Sequence, residues 1–299
     1  MSLDRLASVD VVIVTFNSAH VLELCLESIP ASVSVTVVDN GSTDSTLALL
    51  SRLEATGRIS SIRSPRNDGF ARAVNKALST CSKPFALVLN PDCVLEPGSI
   101  EQLVGAADAY EDAAVVAPLQ IGFDRKVRTL SFLNDPWKWS GVFIEPAGDV
   151  CVDVVPGTAL LLVMNKLRSA VGFFDEQFFL YCEDTDLCLR VKRAGLSCIV
   201  NPRARVLHDP GLSCNLADKS FQAIEFRVSQ YLFQRKYRIH ALVTPRSVAK
   251  AAYCLIRIAL RSNTNFYRSE LTAIVAFWKR VLTNRRGGPN SAGHNKRRS

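Results

Sequence analysis

Short β-branched apolar runs alternate with stretches of helical periodicity through residues 10–117. Asp10–Thr15 (DVVIVT), Val33–Val38, Phe85–Leu89 and Ala113–Ala117 read as buried strands, and Arg58–Arg63 as a weaker one. Between them, Ser18–Ile29, the segment from the turn Gly41-Ser42-Thr43-Asp44 to Ala55, Phe70–Ser79 and Pro97–Ala109 read as helices. Pro30 stops the first, and Pro97 takes the first position of the last. This alternation predicts an α/β fold, an αβα sandwich around a mostly parallel sheet. Such sheets bind ligands at the carboxyl ends of their strands. Three polar clusters fall there: Thr15-Phe16-Asn17, Asp39-Asn40-Gly41 and Asn90-Pro91-Asp92.

The second half is less regular. Leu119–Asp153 mixes strand-like pieces with a loop holding Trp137 and Trp139. Thr158–Met164 is an apolar run, Glu183–Ala194 a helix, Ser197–Val200 a strand and Asp218–Lys236 a long helix. Ser247–Arg261 and Tyr267–Leu282 read as basic amphipathic helices, and Arg285–Ser299 as a disordered polar tail. The expected organisation is a domain over 1–236, with a nucleotide-binding half (1–117) and an acceptor half (118–236). A helical appendage (237–284) and a tail (285–299) follow.

Composition narrows the class. A chain of 299 residues, 48% apolar and 21% charged, can bury a sizeable core. No uninterrupted apolar run of about 18 residues occurs, so no transmembrane helix is expected. Met1–Asp10 lacks an apolar signal core, which points to a cytoplasmic protein. The nine cysteines form no C-x-x-C pair, which argues for reduced thiols over a disulfide frame or zinc site. The net charge of +8 is uneven: residues 235–299 hold 15 Lys/Arg against the single acid Glu270. That basic end implies an anionic partner surface. Two readings stand level, helices lying peripherally on the inner face of a membrane and an ordinary helical cap with a solvated basic face. Nucleic acid ranks third, because no recognition motif accompanies the charge.

The polar clusters suggest chemistry. Asp39, directly after a strand, can accept a hydrogen bond from a pyrimidine N–H, or serve only as a turn residue. Ser42 and Asp44 read as helix caps. Asn67-Asp68-Gly69 precedes a helix whose N-terminus can face phosphate or base. Asn90 and Asp92 sit two apart at a strand end, where Asp92 can hold Mg²⁺ or Mn²⁺ against a diphosphate. The densest cluster is Gly172–Arg190 (GFFDEQFFLYCEDTDLCLR), in which Glu183, Asp184 and Asp186 follow an aromatic run. Carboxylates against bulky apolar groups acquire raised pKa values, as a general base requires. A charged helix N-terminus accounts equally for one or two of the three. His208 is a cation or phosphate ligand, or a structural histidine.

Taken in order, VVIVTFNS (Val11–Ser18), VVDNGSTD (Val37–Asp44), NDGFARAVN (Asn67–Asn75), LVLNPDC (Leu87–Cys93), PGTALLL (Pro156–Leu162), FDEQFFLYCEDTDLCLR (Phe174–Arg190) and His208 resemble the inverting GT-A-fold glycosyltransferases of the family 2 type, and within them the rhamnosyltransferase-like branch. The resemblance spans roughly residues 9–236. It implies a nucleoside pocket of Thr15, Asn17 and Asp39 with Asn67 and Gly69 nearby. It places Asn90-Pro91-Asp92 at the family's DXD position, with Asn90 in place of the first acid, so Asp92 is the main metal carboxylate. It makes Asp184 the catalytic base and has His208 complete the metal or diphosphate site. Glu183 falls to the acceptor side; apart from the resemblance, the loop Asn134–Asp149 with Trp137 and Trp139 reads either as an acceptor contact or as a packed surface loop. The implied donor is dTDP-L-rhamnose ahead of a UDP-hexose, and the implied acceptor is a cell-surface or polyprenyl-linked glycan.

Other classes fit less well. A nucleotidyltransferase needs a Gly-rich basic loop after the first strand, and Thr15-Phe16-Asn17-Ser18 is not one. A dinucleotide-dependent dehydrogenase needs G-x-G-x-x-G, which is absent there. A non-catalytic membrane-docking scaffold keeping the fold stays open.

Overall fold

The computed structural model describes residues 5–129, 145–208, 216–238, 243–260 and 263–286. Trp137, Trp139 and nearly all of the expected disordered tail lie outside them. By packing, the chain divides into two compact units, Met1–Leu216 and Ala217–Ser299.

In the first unit β1 (Val9–Thr15), α1 (Ala19–Glu27), β2 (Ser34–Asp39), α2 (Thr46–Ala55), β3 (Ser60–Arg63), α3 (Phe70–Leu78) and β4 (Phe85–Leu89) alternate as the sequence pattern predicts. They continue into β5 (Val94–Leu95), α4 (Ser99–Ala109), β6 (Ala113–Ile121), β7 (Val127–Thr129), β8 (Val150–Val152) and β9 (Ala159–Val163). A short helical turn, α5 (Met164–Lys166), then leads to α6 (Glu183–Arg193) and β10 (Ser197–Leu207).

The strands form one sheet in the order β3-β2-β1-β4-β9-β6-β10-β5, with β7 and β8 paired on β6 and β10. β3, β2, β1, β4, β6 and β10 all run the same way; β9 and β5 run against them. The run Thr158–Met164 is thus an antiparallel strand wedged between two parallel ones. Its core, ALLLV, is apolar throughout because both of its faces are covered.

Strand alternation sorts side chains onto the two faces. Val9, Val11 and Ile13 of β1 pack with Leu22 and Leu26 of α1, Leu50 of α2 and Leu103 of α4. Val12 and Val14 face the other way, into a core with Val74 and Leu78 of α3 and Leu187 and Val191 of α6. Fully burying each such side chain stabilises the fold by about 1.5–3 kcal/mol. The sheet therefore has a helical layer on each side, the αβα sandwich expected.

Several boundaries differ from the sequence reading, among them three in the first unit. α4 starts at Ser99, not Pro97, because Gly98 adopts a left-handed conformation (φ 81°) that interrupts helical backbone. β6 runs on through Pro118 to Ile121 instead of ending at Ala117. β10 runs on to Leu207 instead of Val200, through an irregularity between Asn201 and Arg205. There the Asn201 side-chain oxygen accepts the N–H groups of Arg203 (3.0 Å) and Ala204 (2.9 Å). This local bond set lets Pro202 sit in a central strand without breaking it. The extension matters, because it carries the chain to His208.

The second unit contains α7 (Leu216–Tyr237), α8 (Val243–Ala259) and α9 (Thr264–Arg286). Glu270 of α9 is buried and ion-paired with Arg227 of α7 (3.0 Å) and Lys250 of α8 (2.5 Å), so one carboxylate ties all three helices. Val248, Leu255, Ile256 and Leu260 of α8 are exposed, as are Val275 and Leu282 of α9. Among the described residues no helix is long and apolar enough to cross a membrane.

Candidate active site

The polar clusters collect at the carboxyl edge of the sheet. β1 and β2 pair in register, so Thr15 lies opposite Asp39 at their common ends. Asp39 is buried. Its Oδ2 accepts the N–H groups of Gly41 and Ser42, both at 3.1 Å, while Oδ1 has no hydrogen-bond partner. The Thr15 hydroxyl beside it is likewise buried and unpartnered. Buried polar atoms are normally satisfied, and two such atoms at a strand end are what a ligand-recognition position presents.

Asn17 has a different task. Its backbone is left-handed (φ 54°), and its Oδ1 accepts N–H groups from Thr43 (2.8 Å) and Asp44 (3.3 Å). It locks the loop after β1 to the loop after β2. Ser42, expected as a helix cap, instead accepts the Asn17 N–H (2.9 Å). Asp44 lies one residue before the N-cap Ser45 and accepts the Thr46 N–H at 3.0 Å, closing the turn that leads into α2.

Asn67 and Gly69 are held by Asn40, which the sequence reading did not single out. The Asn40 amide donates to Asn67 Oδ1 (2.9 Å) and to the Gly69 carbonyl (3.2 Å), and its oxygen accepts the Asp68 N–H (3.1 Å). Gly69 has φ +90°, and a Cβ there would lie 2.6 Å from the Phe179 carbonyl oxygen. Only glycine allows this approach. It seats the start of α3 on the segment leading to α6, where Phe70 N–H donates to Phe179 O at 2.7 Å.

That segment is strained. Tyr181 (φ 69°) and Cys182 (φ 65°) are consecutive left-handed non-glycine residues immediately before α6, a conformation costing about 1–2 kcal/mol per residue. It presents three acids on the first turn of α6, and their environments separate them. Asp186 is fully buried and paired with Arg190 (2.8 Å), so it is structural. Glu183 is buried, and Oε2 has no partner; burial, then the neighbouring Asp184 charge, push its pKa well up. Asp184 is only partly covered. Its Oδ2 accepts the Gly157 N–H (2.9 Å), and its Oδ1 accepts the Thr185 N–H (2.6 Å). Burial raises the Asp184 pKa against the opposing pull of these N–H donors.

The residues after β4 lie on the same scaffold. Thr158, next to Gly157, accepts the Asn90 N–H at 2.9 Å and the Cys93 thiol at 3.6 Å. The turn into β9 therefore holds the Asp184 carboxylate on one residue and the Asn90–Cys93 loop on the next. β5 pairs antiparallel with the end of β10, with Leu207 opposite Val94. This brings His208 Nε2 to 3.6 Å from Asp92 Oδ2, both residues buried. The ligand atoms of Asp92, Cys93 and His208 all lie within 4.8 Å of one another. A carboxylate and an imidazole converging from two strand ends fit a divalent cation, with the Cys93 thiol beside them. Cys93 was not marked as a candidate ligand in the sequence, since a cysteine after an apolar strand reads as core; burial, then Asp92, hold its thiol protonated.

An unpartnered buried carboxylate oxygen at one strand end, a carboxylate–imidazole pair at another and an aspartate held on both oxygens, set on this sheet order, are what a GT-A-type glycosyltransferase presents. The comparisons agree. Residues 10–146 match the model of Glycosyl transferase family 2. The chain is 30% identical over 258 residues to the N-acetylglucosaminyl-diphospho-decaprenol L-rhamnosyltransferase of Mycobacterium tuberculosis, covering 75% of this chain and 82% of that one. It thus belongs to glycosyltransferase family 2. The fold is shared with the mannosyltransferase PcManGT of Pyrobaculum calidifontis, solved with GDP-Man and Mn²⁺ (TM-score 0.55, 15% identity, 94% of this chain and 88% of that one). It is shared also with residues 1–349 of S. aureus TarS (TM-score 0.53, 15% identity, 94% and 92%).

Proposed function

We propose that this glycosyltransferase moves L-rhamnose from dTDP-L-rhamnose onto a hydroxyl of a lipid-linked glycan, with inversion at the anomeric carbon. The observation that carries the chemistry is Asp184, a basic carboxylate fixed on both oxygens by Gly157 and Thr185. Asp184 takes the proton of the acceptor hydroxyl. That oxygen bonds to the anomeric carbon from the side opposite the diphosphate, whose bond breaks and keeps its electron pair. A single displacement needs one base and no enzyme nucleophile.

Asp39 Oδ1 and Thr15 supply the nucleoside end. An unpaired carboxylate oxygen suits the N3–H of thymine or uracil, which favours dTDP or UDP over purine carriers. Rhamnose and the polyprenyl-linked acceptor are suggested by what the mycobacterial relative's name says it acts on. Asn67 and Gly69 shape the pocket wall, Asn90 flanks the diphosphate, and Glu183 lies on the acceptor side; Trp137 and Trp139 are acceptor-side candidates on the sequence alone. Asp92 and His208 would hold a divalent cation, which when bound supplies positive charge to the leaving diphosphate. An imidazole beside a carboxylate favours Mn²⁺ over Mg²⁺.

The exposed apolar residues of α8 and α9, set among Arg257, Arg268 and Lys279, suit the surface of an anionic membrane, where a polyprenyl acceptor resides. The test is transfer from dTDP-L-rhamnose, UDP-glucose, UDP-N-acetylglucosamine and GDP-mannose to a polyprenyl-diphosphate N-acetylglucosamine acceptor, with Mn²⁺ or Mg²⁺. Rhamnosyl transfer alone is expected. Turnover with a UDP-sugar and none with dTDP-L-rhamnose overturns the donor, and no turnover with nucleotide binding intact returns the scaffold reading.

A further inference from the structure

The imidazole of His208 is held from behind by a residue outside every motif above. Gln120 lies in β6 and is buried, as is His208. Its side-chain amide meets His208 Nδ1 at 2.5 Å, while Nε2 of the same ring points at Asp92 Oδ2. The sheet register enforces this. Gln120 pairs with Val206 in the parallel β6–β10 ladder, and His208 follows Val206 by two residues, so both side chains leave the same face. The His208 N–H also bonds the Ile121 carbonyl at 2.9 Å, which fixes the ring's origin beside Gln120.

A glutamine amide offers either an N–H or an oxygen to a ring nitrogen, depending on which way it is turned. Turned with its oxygen to Nδ1, Gln120 accepts an Nδ1–H and leaves Nε2 with a free lone pair toward Asp92. Turned the other way, it donates to Nδ1 and puts the proton on Nε2, where it can only hydrogen-bond Asp92. The first state is the one a cation ligand needs, and ligating histidines are normally held so by an acceptor on their far nitrogen.

We infer that Gln120 is a positioning residue for the cation site: its amide sets the tautomer and orientation of His208, turning from donor in the empty site to acceptor when a divalent cation binds. The inference rests on the reading of His208 as a ligand. The cost of losing such a partner is typically 10–100-fold in metal affinity.

The experiment titrates Mn²⁺ into the full-length protein, with free Mn²⁺ read by electron paramagnetic resonance, in the presence and absence of dTDP. Gln120→Met keeps the volume and accepts nothing. Gln120→Glu accepts only. Expected are a roughly tenfold or greater loss of Mn²⁺ affinity in Q120M, affinity within about threefold of wild type in Q120E, and no further loss when Q120M is added to His208→Ala. Should H208A bind Mn²⁺ as wild type does, the ligand reading of His208 fails. Should H208A weaken binding while Q120M does not, or should the two losses add, Gln120 has no part in it. Q120E carries the test alone if Q120M does not fold, and a tenfold loss there also overturns the inference.

Discussion

The backbone N–H of Gly157 donates to Oδ2 of Asp184 at 2.9 Å, joining the turn before β9 to the first turn of α6. Thr158, the next residue, accepts the Asn90 N–H. Two consecutive residues thus hold the Asp184 carboxylate and the Asn90–Cys93 loop on one turn.

A Cβ at position 157 would sit 3.4 Å from both Cβ and Oδ2 of Asp184, at the tight edge of ordinary van der Waals contact, so any crowding there reaches this carboxylate first. Gly157→Ala is expected to lower kcat roughly tenfold with the donor KM nearly unchanged, since small misplacements of a reacting group are costly. Steady-state kinetics with a melting curve on the same sample check it. An unchanged kcat would mean that Asp184 accommodates the added methyl without leaving its reacting position, or that it is not the base.

Asp184→Asn should reduce kcat by about 100-fold or more while nucleotide affinity stays close to wild type. The base works deprotonated, and burial raises its pKa. The wild-type kcat/KM should therefore fall as pH drops through a value above the ordinary aspartate range. The residual activity of the Asn variant should lack that acidic limb.

Asp39→Asn replaces one carboxylate oxygen by an NH₂. With Gly41 and Ser42 keeping the remaining oxygen, the NH₂ confronts the pyrimidine N3–H, donor against donor. Losing a charge-assisted bond of about 1.5–3 kcal/mol should weaken dTDP or UDP roughly 10–100-fold by calorimetry. Equal binding by both proteins would remove Asp39 from base recognition.

Gly69→Ala forces a Cβ to within 2.6 Å of the Phe179 carbonyl oxygen at a positive φ. A loss of about 2 kcal/mol or more in chemical denaturation is expected, because both backbone strain and a steric clash must be relieved. A loss below about 0.5 kcal/mol would show that this loop moves freely.

Glu183 is buried with its pKa raised, so the folded state holds the proton to higher pH than the unfolded chain does. Its stabilising contribution is complete below the ordinary glutamate range and is lost as pH rises toward the raised value. Gln stays neutral throughout. The stability of Glu183→Gln relative to wild type should therefore grow with pH over that window, by about 1.4 kcal/mol per unit of pKa difference. A flat difference across the range would place Glu183 in a solvated setting.

Much of the fold was legible because the parallel half is built from local units. The runs forming β1, β2 and β4 are β-branched and apolar, each is followed by a helical pattern, and each ends in a polar cluster. Asp39 and Asp184 stood out as candidates for the same reason, since each adjoins the element that presents it. The ends of β6 and β10 were not readable, because Pro118 and Pro202 resemble strand stops and only the ladder shows that the backbone passes through them. Asn40, Gly157 and Gln120 did not stand out because the side chains they meet are remote in sequence.

The sequence by itself determined the alternation of elements, the apolar faces of the sheet and the placement of chemistry at strand ends, because these follow from side-chain period and local backbone preference. Only the tertiary structure decided that Asp92 meets His208, that Gly157 holds Asp184 and that Asp186 is spent on Arg190. The physical reason is that the pairing of β5 with β10, and the insertion of β9 between β4 and β6, close long loops whose register is set by collective burial and backbone hydrogen bonding rather than by any local motif.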